Sequence, residues 1–186
     1  NDFSIFRDDL KKMIDLVRQE ADYLGYEELR YDALLDNYES GLTVSRLDPL
    51  FTNLRESIAP LIKSVMDSGK RPNMEWVERS TWIQKGQEFL SQKVSESIGF
   101  NFDAGRRDAS THPFCGGPNP DDVRWTTRYS ATEPFGSLYG SMHETGHGLY
   151  EQGRPRALDF QPAGKANGLG IHESQSRLWE NQIGRS

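Results

Sequence analysis

Two histidines and a glutamate form the motif in this sequence that is best suited to chemistry. His143, Glu144 and His147 follow the spacing H-E-x-x-H. Residues four apart on a helix project from nearly the same face, so both imidazoles could reach one metal ion. Glu144 would lie beside the metal, where a carboxylate can accept a proton from water. The spacing therefore predicts a metal site with a general base, the alternative being a chance match on an exposed helix.

A catalytic zinc site usually has three protein ligands, and two neighbouring residues are candidates for the third. Glu173 lies 26 residues after His147, on a predicted second helix that can return beside the first. A glutamate on a following helix is the gluzincin arrangement. His172 could compete for the metal, but adjacent residues on a helix point about 100° apart. We therefore expect only one of the two to bind directly.

The predicted metal-site helix, over residues 135–152, is unusually rich in glycine. Each glycine inside a helix costs about 1 kcal/mol relative to alanine. We therefore expect another backbone or a substrate to pack very close to this helix. The glycines are Gly136, Gly140, Gly146 and Gly148.

Hydrophobic residues at three- and four-residue steps predict the helices that support this site. These helices cover residues 6–24, 31–38, 47–68 and 75–98, with a kink or restart at Pro60, and their apolar faces are expected to form core. Residues 100–120 are rich in Gly, Pro, Asp and Asn and predict an irregular loop. Residues 123–129 predict a strand, and a last helix should run from about residue 167 almost to the chain end.

Composition excludes several classes of partner. The 186 residues include 22 Lys and Arg against 28 Asp and Glu, a net charge of −6, which argues against a nucleic-acid partner. No stretch approaches the roughly 20 apolar residues of a membrane span. The single cysteine excludes an intrachain disulfide. Because the chain begins without methionine or a signal peptide, we expect a cytoplasmic protein and a chain that begins inside a longer one.

Four motifs in order resemble those of the carboxypeptidase Taq family of thermostable zinc metallocarboxypeptidases. The similarity extends over nearly the whole chain and is strongest from residue 100 onward. The motifs are His112-Pro113-Phe114; Asp122, Arg124 and Thr126 in the pattern D-x-R-x-T; the H-E-x-x-H of residues 143–147; and His172-Glu173-Ser174-Gln175.

This resemblance implies a mainly α fold, a gluzincin-like helical metallopeptidase core with a small β element at the edge of the active-site groove. It implies that His143, His147 and Glu173 bind one divalent metal ion, with zinc expected and cobalt as the alternative. It also implies that Glu144 is the catalytic base in the hydrolysis of C-terminal residues from peptides, and that the protein forms a homodimer. The residues expected to line or brace the groove are His112, Arg124, Thr126 and His172.

Family members are longer at both ends, and two of their later motifs would lie beyond Ser186. We therefore expect residues 1–186 to form a single partial domain, with a helical scaffold over 1–99 and a metal and active-site portion over 100–186. One alternative is a metal-binding but catalytically incomplete fragment. Another is a zinc endopeptidase, which fits H-E-x-x-H but not the four-motif order. Arg124 or Arg128 could offer a cation for the substrate's terminal carboxylate, or form a salt bridge on the strand.

Overall fold

The structure is a computed structural model and describes residues 2–186. Contacts divide the chain into two compact units, with the boundary between Arg71 and Pro72. The first unit contains helices α1 (Phe3–Leu24), α2 (Arg30–Asp36) and α3 (Val44–Asp67). Residues 72–99, which were predicted to belong to the helical scaffold, group with the second unit.

The second unit holds the remaining helices and a small sheet, so the fold is mainly α with a minor β element, as predicted. Among residues 2–186, the structure has no helix that combines the length and the apolar character needed to span a membrane. The elements are α4 (Glu75–Glu78), α5 (Gln84–Ser97), β1 (Gly105–Ala109), β2 (Cys115–Gly116), β3 (Val123–Thr127), α6 (Phe135–Gln152), α7 (Leu169–Arg177) and a π-helical segment, Leu178–Ile183.

The helices of the first unit lie where the apolar periodicity predicts them. The carboxylate of Asp2 accepts a hydrogen bond from the Ser4 N–H at 2.9 Å and so caps the start of α1. Gly25, with φ +81°, follows the last residue of that helix. Helix α3 is continuous from Val44 to Asp67, so the chain does not restart at Pro60.

The expectation that these apolar faces form core is wrong for the described chain. Helix α1 buries only Ala21, and α3 has no buried residue. On α3, Leu50 is 58% exposed and Leu61 is 62% exposed. Periodicity identifies which face of a helix is apolar, but it does not report whether another segment lies against that face.

The single helix predicted over residues 75–98 is interrupted at residues 79–83. The Trp82 N–H donates to the Ala131 carbonyl at 2.9 Å, and its indole N–H donates to the Val77 carbonyl at 3.2 Å. The first of these bonds joins residues far apart in the sequence, and helical periodicity carries no signal for such a contact.

Helix α5 packs through small and polar side chains instead of the predicted apolar ones. Ile83, just before the helix, is 69% exposed and Leu90 is 48% exposed. The buried residues are Gln87, Ser91 and Ser95, and the Ser95 hydroxyl lies 2.8 Å from that of Thr145 on α6.

The sheet has the order β1-β3-β2 and supports one face of α6. Strand β1 is parallel to β3, and β2 is antiparallel to it. The strand predicted over 123–129 is confirmed as β3, but the irregular loop predicted over 100–120 is wrong because it contains β1 and β2. Charged residues in β1 and the two-residue length of β2 removed the usual strand signal. The core beneath the sheet consists of Phe100, Val123 and Trp125, flanked by Phe102, Cys115 and Leu149.

Candidate active site

Helices α6 and α7 bring three possible metal ligands together. Glu173 Oε2 lies 3.7 Å from His143 Nε2 and 3.3 Å from His147 Nε2. The three ligand atoms all fall within 4.8 Å of one another. A tetrahedral metal with bonds of about 2.0–2.2 Å separates its ligand atoms by roughly 3.3–3.6 Å. The three side chains therefore fit a single divalent metal ion.

Gly146 allows the two helices to approach this closely. A Cβ at this position would lie 2.7 Å from the Ser176 Cα and 2.7 Å from the Gln175 carbonyl oxygen. Ordinary side chains do not tolerate such distances to backbone atoms. The expectation that a backbone packs very close to this helix is confirmed here, and the contact places Glu173 opposite the two histidines.

Glu180 orients His143 from the side of the ring opposite Glu173. His143 Nδ1 lies 2.9 Å from Glu180 Oε2. Burial raises the pKa of Glu180, but hydrogen bonds from Arg185 and His143 outweigh it, so the pKa lies below its ordinary value. An ionised carboxylate only accepts hydrogen bonds, so Nδ1 carries the hydrogen and the Nε2 lone pair is left for a metal.

Glu180 is absent from the predicted site residues, although the sequence carries a signal for it. The residue lies seven positions after Glu173 and therefore on the same helical face, two turns further on. The π-helical segment carries it, and its carboxylate also binds Arg185 at 2.7 Å and Arg177 at 3.1 Å.

His172, the other candidate for the third ligand, contacts His147. The Nδ1 atoms of His147 and His172 lie 2.5 Å apart, and His172 Nε2 lies 2.7 Å from Glu151 Oε1. Both ring nitrogens of His172 are therefore engaged, and Glu173 is the residue that faces both Nε2 atoms. Burial lowers the pKa of His147 to about 4, and nearby His172 and His143 add to the effect, so the imidazole is neutral at pH 7.

Glu144, the residue predicted to be the general base, lies next to the three possible ligands. The residue is 7% exposed and lines the same cavity as the three possible ligands. Burial raises the pKa of its carboxyl to about 7; His143 opposes this shift, whereas the charges of Glu173 and Glu180 add to it. A carboxyl with a pKa near neutrality can both accept and return a proton.

The cavity over this cluster has a volume of about 810 Å³, within the usual range of ligand-binding sites. His112 and His172, two of the predicted groove residues, line it. The other lining residues include Pro113, Phe114, Cys115, Leu169 and Arg177.

The other two predicted groove residues lie on β3. The Phe114 N–H donates to Thr126 Oγ1 at 3.1 Å, and the Thr126 N–H donates to the Phe114 carbonyl at 2.8 Å. Thr126 thus braces the wall that includes Phe114. Arg124 forms two hydrogen bonds to Asp122, at 2.8 and 2.7 Å. Within residues 2–186, Arg124 is not part of the cavity lining.

The family model for carboxypeptidase Taq (M32) metallopeptidases matches residues 1–186. The chain belongs to this family. The match confirms the resemblance drawn from the four motifs.

Individual M32 relatives agree with the family match. The chain is 41% identical to Carboxypeptidase 1 of Bacillus subtilis over 186 residues, which is 100% of this chain and 37% of that protein. It superposes on the crystal structure of BsuCP with a TM-score of 0.93 and 41% identity, covering 100% of this chain and 37% of that one. For the apo-Mg structure of Pyrococcus furiosus carboxypeptidase, the TM-score is 0.89 and the identity 40%, with 100% and 37% covered. The chain thus spans little more than a third of the length of these relatives.

Proposed function

We propose that this chain carries the active site of a metal-dependent carboxypeptidase that removes C-terminal residues from peptides. The observation that carries the proposal is the cluster of His143, His147 and Glu173, whose ligand atoms fall within 4.8 Å beside the buried Glu144. The similarity to proteins called carboxypeptidases over the whole chain supports the reaction class.

His143, His147 and Glu173 would hold the metal ion. Two imidazoles and one carboxylate form a donor set typical of catalytic zinc, with cobalt as the alternative. When bound, such an ion supplies a Lewis acid that polarises the scissile carbonyl and lowers the pKa of water towards about 7.

Glu144 is the proposed proton carrier. Its carboxylate accepts a proton from the attacking water and then returns it to the leaving amine. The pKa of about 7, raised mainly by burial, suits both halves of this transfer. Glu180 keeps His143 Nε2 directed at the ligand cluster. His112 and His172 line the substrate cavity, Thr126 holds its Phe114 wall in place, and Arg124 braces the strand through Asp122.

One observation favours the alternative of a catalytically incomplete fragment. A carboxypeptidase requires a cation for the terminal carboxylate of its substrate. Within the described chain, Arg177 is the only Lys or Arg that lines the cavity. Its guanidinium is already engaged by Glu173 at 2.7 Å and by Glu180 at 3.1 Å.

Product analysis by mass spectrometry separates the three candidate functions. The zinc-loaded chain is incubated with an N-terminally blocked peptide, and metal content is measured on the same sample. Stepwise loss of single C-terminal residues supports the carboxypeptidase. Internal cleavage supports the endopeptidase instead, and metal uptake without any product supports the incomplete fragment.

A homodimer and a cytoplasmic location complete the proposal. The exposed apolar side chains of α3, such as Leu50 and Leu61, support association because large apolar faces tend to pair. Size-exclusion chromatography with light scattering should give a dimer mass, and a monomer would contradict that expectation. Fractionation of cells tests the location.

A further inference from the structure

A chain of four polar side chains leads from His147 away from the metal cluster. His147 Nδ1 contacts His172 Nδ1 at 2.5 Å, and His172 Nε2 contacts Glu151 Oε1 at 2.7 Å. Glu151 Oε2 then pairs with Arg154 Nε at 2.7 Å. All four side chains are 14–16% exposed, so water competes little for these contacts.

The hydrogens in this chain can be assigned by their chemistry. Glu151, paired with Arg154, is a carboxylate and only accepts, so His172 Nε2 must carry a hydrogen. With the hydrogen of His172 on Nε2, its Nδ1 lone pair is the acceptor that faces His147 Nδ1 at 2.5 Å, so we assign the hydrogen of this contact to His147 Nδ1. The remaining nitrogen of His147, Nε2, is left with a lone pair, and it faces Glu173 at 3.3 Å.

We propose that Glu151 acts through His172 to hold His147 in its Nδ1–H tautomer, and that this relay sets the metal affinity of the site. Glu151 and His172 are thus positioning residues, and the inference rests on the metal site proposed above. Glu180 accepts the Nδ1–H of His143 in the same way. Each histidine of the motif is therefore held by a glutamate, His143 directly and His147 through His172.

The surroundings of the relay hold its members in place. The Tyr150 ring packs on the His172 ring with centroids 4.8 Å apart, and the Tyr150 hydroxyl accepts the Asn167 N–H at 3.1 Å just before α7. Arg154 donates to the Gly164 carbonyl at 2.8 Å. These contacts hold the relay against α6, the following loop and α7.

A purely structural role for His172 makes a different prediction. His172→Phe keeps a flat ring against Tyr150 but removes the acceptor for His147. His172→Asn loses the ring but places a carbonyl oxygen near the former Nδ1 position. If His172 acted by packing alone, the Phe variant would keep more of the zinc affinity than the Asn variant. If His172 acts through the relay, the Asn variant keeps more.

Zinc affinity, measured by competition with a chromophoric chelator, tests the relay through these variants. We expect His172→Phe and Glu151→Ala to bind zinc about 10–100-fold more weakly than wild type. His172→Asn should stay within a few-fold of wild type, and adding Glu151→Ala to it should cause no further loss. The charge-matched control is Glu78→Gln, on the exposed surface of the same unit, which should bind as wild type. Wild-type affinity in His172→Phe would overturn the proposal.

The tautomer itself can be read from the ¹⁵N NMR spectrum of the metal-free wild-type protein near pH 8, where free histidine is neutral. We expect the His147 hydrogen on Nδ1, and a mixture of tautomers in Glu151→Ala. A hydrogen on Nε2 in wild type would overturn the proposal. Because this measurement needs no metal, failure of the wild type to bind zinc would contradict the proposed function without deciding the relay.

Discussion

Glu180 and Glu173 hold the His143 ring between them. Glu180 Oε2 lies 2.9 Å from Nδ1, and Glu173 Oε2 lies 3.7 Å from Nε2. The two carboxylates are seven residues apart on one continuous helical segment. A single segment therefore supplies both the proposed third ligand and the group that orients the first ligand, and the geometry of the site depends on where that segment lies.

Removal of Glu180 should weaken metal binding although the residue is not a ligand. In Glu180→Ala the Nδ1–H of His143 loses its acceptor, and the ring can adopt other orientations and the other tautomer. We expect the zinc affinity to fall about 10–100-fold, measured by chelator competition.

Glu180→Gln is the matched comparison, because its amide oxygen can still accept from His143. The loss of affinity should be smaller than in the Ala variant. Equal affinities for wild type and Glu180→Ala would show that Glu180 does not orient the ligand.

Gly146→Ala should separate α7 from α6. The added Cβ would lie 2.7 Å from backbone atoms of Gln175 and Ser176, so one helix has to move. We expect the free energy of unfolding to drop by about 1–3 kcal/mol, together with weaker zinc binding. Chemical denaturation and metal titration measure the two effects.

Gly86→Ala is the control for that substitution. Its Cβ would lie 3.5 Å from Ile83 Cγ1, an ordinary contact, and Gly86 is inside α5. The better helix propensity of alanine should stabilise the protein by about 0.5–1 kcal/mol. Destabilisation of both variants to the same extent would show that close helix packing is not what distinguishes Gly146.

Cys115 should be inert although it lines the cavity. Burial, together with the charges of Glu144 and Glu151, raises the pKa of its thiol to about 12. An acid with a raised pKa is less ionised at a given pH, and the thiolate is the reactive form. At pH 8 we expect iodoacetamide to modify the folded protein at least about 100-fold more slowly than the denatured protein.

The pH dependence provides the check on this prediction. In the folded protein the rate should still rise steeply above about pH 10, whereas the rate of a free thiol, with a pKa of about 8.5, levels off by about pH 10. A plateau by about pH 10 in the folded protein would contradict a raised pKa for Cys115.

Local spacing predicted the cluster of His143, His147 and Glu173 because these residues are arranged on helices. The i, i+4 spacing of His143 and His147 and the glycines of α6 are local features, and periodicity located most helices. The contacts of His147 with His172 and of His143 with Glu180 depend on how α6 lies against α7 and the π-helical segment, which no local pattern specifies.

The wrong predictions of helix, loop and core also arise from long-range contacts. Trp82 leaves the helix because its N–H bonds to Ala131, and β1 pairs with β3 despite its charged sequence. The apolar stripe of α3 predicted a buried face, but the side chains of Leu50 and Leu61 are exposed in the structure.

The most direct test of the central claim is the rate of C-terminal residue release by Glu144→Gln, compared with wild type at equal, measured zinc content. We expect both proteins to bind about one zinc ion, since Glu144 is not a ligand, and His143→Ala to bind none. The Gln variant should release residues about 10²–10⁴-fold more slowly than wild type, because an amide cannot carry the proton. Equal and measurable release rates in the two zinc-loaded proteins would contradict the assignment of Glu144 as the general base.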